Sequence, residues 1–186
     1  MTHNINKQNI FDFFKGNSFV ESVSDNSIII DETKPDAQLK QVVVQNLVES
    51  SQYWVIDTES NAFQLQGNKV EKIILEQTKE SVLNIIMVEL KSERVRENEV
   101  RAKFKNSLEL VYILLHLLEG KANQAINVCG ILVAQKDMQW NTINNLNIFS
   151  STSIRYTKRS FYTQEAKIEL EYKDVVAKIM DKREIK

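Results

Sequence analysis

Glu89 and Lys91 stand two residues apart at the end of an apolar run, Val82 to Val88. In a strand, residues two apart share a face, so the carboxylate and the ammonium lie side by side while Leu90 turns the other way. Burying either charge costs several kcal/mol unless it is paired or bound to metal. Two arrangements meet that condition. In metal-assisted phosphodiester hydrolysis, Glu89 gives a divalent cation a hard oxygen ligand. Lys91 then orients or deprotonates the attacking water, or balances charge at the phosphorane. In the plainer arrangement the two groups form a half-buried ion pair where a strand emerges into solvent.

The elements around the pair follow from periodicity. The run 82–88 is too short to span a membrane and rich in β-branched residues, which predicts a buried strand over 82–91. The period then changes from two to about 3.6. Val100, Phe104, Leu108, Val111, Leu115 and Leu118 fall on one stripe, predicting a helix over 97–118 that Gly120 ends. Positions 100, 103, 107 and 110 run along one edge of that stripe, so Lys103 points toward Glu89 or a phosphate, or snorkels to the surface. A second β-branched run, Ile126 to Ala134, follows the helix. Strand, helix, strand in this order suggests a parallel, right-handed βαβ unit.

The strand–Glu-x-Lys–helix unit resembles the PD-(D/E)xK nuclease superfamily, in particular small members whose motif strand ends in a VELKG-like run, here Val88 to Ser92. The helix that follows in that family often carries a Gln-Leu-x-Asn-Thr-like run, matched here by Lys103, Phe104, Lys105, Asn106 and Ser107. The resemblance covers roughly residues 39–170. It implies an α/β fold of the restriction-endonuclease-like kind, with one mixed sheet flanked by helices. It also implies a Mg²⁺- or Mn²⁺-dependent nuclease acting on nucleic acid, with DNA first, whose catalytic residues are Glu89, Lys91 and Lys103.

The resemblance also implies an aspartate near the start of the strand that pairs antiparallel with the motif strand. If Gln52 to Asp57 is that strand, its start lies beside Glu89, and the position is Gln52, where related sequences carry Asp. Asp57 then lies about 17 Å away at the far end. An amide oxygen ligates a hard cation without charge, so affinity falls. On this pairing Gln52→Asp would strengthen the site. A different register would make Asp57 the ligand, and Glu49 on the preceding turn is a third choice. If none serves, the chain is a catalytically degenerate nuclease-fold protein that binds nucleic acid or a protein partner. Pro35-Asp36 spells the first letters of the motif but sits in a turn far upstream.

A net charge of −1 carries no global signal for nucleic acid, so phosphate neutralisation must be local. Arg94, Arg96, Arg101, Lys103 and Lys105 form one basic cluster, with Glu93, Glu97 and Glu99 interspersed. Arg155, Lys158 and Arg159 form another, interleaved with Tyr156, Phe161 and Tyr162. Charge with aromatic rings can track a backbone, and a solvated face has the same composition.

At 186 residues, 42% apolar and 26% charged, with only 4 Gly and 1 Pro, a single domain over 1–186 is expected. One cysteine, Cys129, excludes an internal disulfide, and the polar start carries no signal peptide; a cytoplasmic protein is expected, with no membrane partner and self-association left open. Two histidines, His3 and His116, make no zinc pattern, and neither a nucleophile–His–acid series nor a Gly-rich phosphate loop occurs. Elsewhere the pattern predicts an N-terminal helix over 5–15, strands at 27–31, 38–48, 52–57, 154–156 and 167–172, a short helix or loop at 141–147, and a helical tail from 173. Residues 58–81 are ambiguous between helix and strand and are expected to form an insertion between paired strands.

Overall fold

The computed structural model describes residues 20–23, 25–58, 68–79, 82–92, 96–117, 126–135 and 155–180. The expected helix over 5–15, the stop at Gly120 and the segment 141–147 lie outside the described residues. In chain order the elements are β1 (Val20–Ser22), β2 (Ser27–Asp31), β3 (Gln41–Gln45), β4 (Gln52–Asp57), β5 (Lys72–Gln77) and β6 (Leu83–Lys91). They continue with α1 (Glu97–Leu117), β7 (Ile126–Ala134), β8 (Arg155–Tyr162), β9 (Lys167–Glu171) and α2 (Tyr172–Met180).

The architecture is mixed α/β, but the strands form two mixed sheets where the sequence predicts one. The larger has the order β1-β4-β5-β6-β7-β8 and the smaller β2-β3-β9. Strands β4, β5 and β6 pair antiparallel in succession, and β7 joins β6 in parallel across α1. Segment 58–81 is therefore no insertion. It contains β5, the strand that sits between β4 and β6.

Both faces of the large sheet are covered, and that is why β6 is buried from Leu83 to Leu90 without alternation. Ile73, Leu75, Ile85 and Met87 face Val100, Phe104, Leu108 and Val111 of α1. Ile74, Ile86, Val88 and Leu90 face the other way, onto Ile28, Ile30, Val42 and Val44 of the small sheet and Val175 and Val176 of α2. The side-chain period of two thus sorts the residues of β4 to β7 onto an α1 side or a small-sheet side. Among the described residues no helix is long and apolar enough to cross a membrane.

A buried polar hub ties the small-sheet side together. The Glu76 carboxyl accepts from Ser51 Oγ at 2.8 Å and from the Tyr53 hydroxyl at 3.1 Å. It also accepts from Asn84 Nδ2 and from the Tyr172 hydroxyl of α2. Asn127 Nδ2 of β7 donates to Asn84 Oδ1 at 2.8 Å. Burial and the neighbouring Glu76 push the Tyr53 hydroxyl up to about 12 and raise that of Tyr172 as well. The two rings meet edge to face, with centroids 5.5 Å apart.

Candidate functional site

Glu89 stands two residues before the end of β6 on the α1 side, fully buried, and Lys91, the last residue of the strand, lies on the same face with its ammonium 2.6 Å from Glu89 Oε1. Lys103, nearly two turns into α1, brings its own ammonium to 2.7 Å from the same oxygen. Its second contact is Glu71 Oε1 at 3.4 Å. Glu71 is 1% exposed and stands one residue before β5. The β5–β6 register pairs Lys72 with Val88, so one further step sets Glu71 directly opposite Glu89. Opposed positions on neighbouring strands hold Cβ atoms about 5 Å apart, and like charges there repel. A cation between the two acids offsets that repulsion, and in this structure it is the Lys103 ammonium.

The α1 helix fixes this geometry. Val70 N donates to Ser107 Oγ at 2.9 Å, and Asn106 Nδ2 donates to the Asn68 carbonyl at 2.9 Å. Residues 103, 106 and 107 are neighbours on one helical face, so the face that carries Lys103 also grips the segment leading to Glu71. Thr58 Oγ1 donates to the Val70 carbonyl and fastens the segment from the β4 end. On the far side of Lys91, Ser92 Oγ accepts from Leu39 N at 2.8 Å, and Gln135 N donates to the Lys91 carbonyl at 3.1 Å.

Burial pulls the Lys103 ammonium down in pKa. The carboxylates of Glu89 and Glu71 more than reverse this, and the group is held above the ordinary lysine value. Both ammoniums lie at ion-pair distance from Glu89 Oε1. Among the described residues Oε2 has no hydrogen-bond partner. That buried, unused oxygen and the second acid opposite fit a hard divalent cation, which takes oxygen ligands and tolerates water in its remaining positions. Among the described residues no group of three or more His, Cys, Asp or Glu side chains converges as a metal site, so the protein's share would be these two carboxylates.

The expected third acid is displaced. β4 is not the neighbour of β6, and with β5 between them the two run in the same direction. Asp57 therefore lies at the Glu89 end, reversing the expectation, but with Tyr53 and Val55 it turns to the small-sheet side. There it pairs with Lys72 at 2.9 Å. Gln52 shares the α1 side with Trp54 and Ile56, yet its register partner is Gln77, at the opposite end of the sheet. Asp57 has the right end and the wrong face; Gln52 has the right face and the wrong end. Glu49 is exposed beside that far end. Glu71 satisfies both conditions and is the residue that sequence reasoning missed. Its signal was an acid just before the short apolar run Ile73 to Leu75, separated from β6 by a hairpin-length turn.

The basic residues are dispersed. Arg96 opens the approach to α1, with its side chain 82% exposed and paired to Glu99 at 3.4 Å. Arg101 is half-buried on α1. Lys158 and Arg159 lie on β8 opposite Gly130 and Ile131 of β7, two strands from β6. Arg94 lies outside the described residues. No protein-family model, no curated protein and no solved structure matches this chain.

Proposed function

We propose that this chain is a metal-dependent nuclease that hydrolyses phosphodiester bonds, with DNA the expected substrate. The observation that carries the reading is the opposed, buried pair Glu71 and Glu89 with Lys91 beside them. The motif that Glu89-x-Lys91 resembles asks for an acid near the start of the antiparallel neighbour strand. In this chain that strand is β5, and Glu71 stands at its threshold. The order of β5 and β6 antiparallel, then α1, then β7 parallel supports a restriction-endonuclease-like core.

Mg²⁺ or Mn²⁺ held by Glu71 and Glu89 would stabilise the charge that develops on the phosphoryl oxygens. Lys91, with a fifth of its side chain exposed, reaches the mouth of the site. It orients the attacking water and compensates charge in the transition state. Arg94, Arg96, Arg101, Lys158 and Arg159 are the candidates for the backbone path. The test is cleavage of plasmid and single-stranded DNA with either metal. Glu71→Gln and Lys91→Ala should each lower the rate about 100-fold or more. Wild-type cleavage by Glu71→Gln would overturn the assignment.

A second reading, a degenerate nuclease-fold protein that binds nucleic acid or a protein partner, is favoured by one observation. Two carboxylates and two ammoniums already neutralise each other in the cluster. It predicts no cleavage with either metal and no change in melting temperature on adding them.

A further inference from the structure

The two lysines of the cluster are not equivalent. Lys91 reaches Glu89, whereas Lys103 reaches both acids, at 2.7 Å and 3.4 Å. Its ammonium thus lies between two carboxylates that face each other across a strand pair, where a shared cation would bind. We propose that Lys103 is the resident counter-ion of this cation site. On this proposal, entry of a divalent cation drives Lys103 out of the Glu71–Glu89 gap, where it becomes a contact for the nucleic-acid backbone. The proposal rests on the metal-dependent reading above and adds the regulation of that site.

Among these four groups, charge favours the exchange. With both lysines in place the four groups sum to zero, so a divalent ion would add two uncompensated positive charges in a buried setting. With Lys103 withdrawn the acids and Lys91 sum to −1, and the ion meets attraction. The opposite state is disfavoured: with neither metal nor Lys103, two opposed buried carboxylates lose the ammonium that lies between them.

The residue type suits the exchange. Lysine is a compact charge on a flexible four-carbon stem, unlike the planar fork of arginine. The side chain of Lys103 is 13% exposed, so part of it already reaches solvent. Its neighbour Phe104 is 1% exposed and anchors α1 to the sheet. The ammonium can therefore swing out while its backbone stays in place, as lysines do when they carry the head to water along an apolar wall.

The exchange couples two ligands through one ammonium. A phosphate that draws Lys103 outward raises affinity for the metal, and by linkage the metal raises affinity for the phosphate by the same factor. The experiment titrates Mn²⁺ calorimetrically into the metal-free full chain, with and without a cleavage-resistant phosphorothioate duplex, alongside metal-free melting curves. In the wild type the duplex should tighten Mn²⁺ binding. Lys103→Met should bind Mn²⁺ about tenfold more tightly without DNA, melt lower without metal, and lose the effect of the duplex. Lys103→Gln, which keeps a donor for the carboxylates without the charge, carries the same expectation if Lys103→Met does not fold. Lys103→Arg should keep the wild-type coupling in direction. If the wild type binds Mn²⁺ and neither neutral variant binds it more tightly, the counter-ion role is overturned and the metal site stands. If neither the wild type nor the neutral variants bind Mn²⁺, both fall together.

Discussion

At the scale of single residues, Glu89 is decided by burial and by who shares its face. Its carboxylate is fully buried with two ammoniums on one oxygen. Removing one partner of such a group leaves charge without compensation, which costs about 3–5 kcal/mol. Glu89→Ala is therefore expected to lose stability of that order in urea unfolding and to abolish any rise in melting temperature with Mn²⁺. Asp57 is the control. Its pair with Lys72 is 40% and 18% exposed and turns to the opposite face, so it contributes about 1 kcal/mol or less. Asp57→Asn should leave the Mn²⁺ Kd unchanged, and so should Gln52→Asp, because a carboxylate placed at the far end of β4 cannot reach Glu89. A tighter Kd for Gln52→Asp would mean that the strand order is wrong.

At the scale of elements, the parts written in local periodicity were legible and the parts written in pairing were not. Strand β6, helix α1 and strand β7 each carry an uninterrupted signal, an apolar run or a 3.6-residue stripe, and each lies where the pattern puts it. Strand β5 carries no such signal. It is covered on both faces, so Ile73, Ile74 and Leu75 show no alternation, and Glu76 is a charged residue buried for reasons that lie in α2 and β4. With β5 unread, β4 became the neighbour of β6 by default, and the third acid moved with it. The small sheet was hidden for a related reason. β3 pairs with β9 from the far end of the chain, and no local residue type encodes that partner. The Asn106-Ser107 pair, by contrast, was visible as part of the helix run but not in its role, which is to grip residues 68–70. Ser107→Ala should leave Val70 N without its buried acceptor, at a cost of about 1–3 kcal/mol. Because Glu71 follows directly, Mn²⁺ binding should weaken several-fold as well, which calorimetry on the folded variant would detect. Unchanged Mn²⁺ affinity in Ser107→Ala would separate the anchor from the site.

At the scale of the whole molecule, the buried carboxylates among the described residues fall in two places that oppose each other in both axis and face. The Glu71–Glu89–Lys91–Lys103 cluster lies at the end of β6 toward α1. The Glu76 hub lies at the beginning of β6 toward the small sheet, where it joins β4, β5, β6 and α2. Asn84 and Glu89 are five residues apart on one strand, about 17 Å. The hub is therefore expected to govern stability without touching the site. Tyr172→Phe removes one donor to a buried carboxyl and should cost about 1–3 kcal/mol at neutral pH. The pH dependence follows from the raised hydroxyls. In the unfolded chain a tyrosine loses its proton near pH 10. In the fold, burial and Glu76 hold Tyr53 protonated up to about 12 and Tyr172 beyond its ordinary range. Between those values the folded state binds more protons than the unfolded one, so stability falls as pH rises. It should be fully present below about pH 10 and decline as pH climbs through Tyr53's folded value. In Tyr172→Phe the starting stability is lower and the alkaline decline shallower, since one of the two raised hydroxyls is gone. The Mn²⁺ Kd of the same variant, measured at neutral pH where it remains folded, should equal that of the wild type. A shifted Kd would show that the sheet transmits the loss along β6, and the separation of a stabilising end from a chemical end would fail.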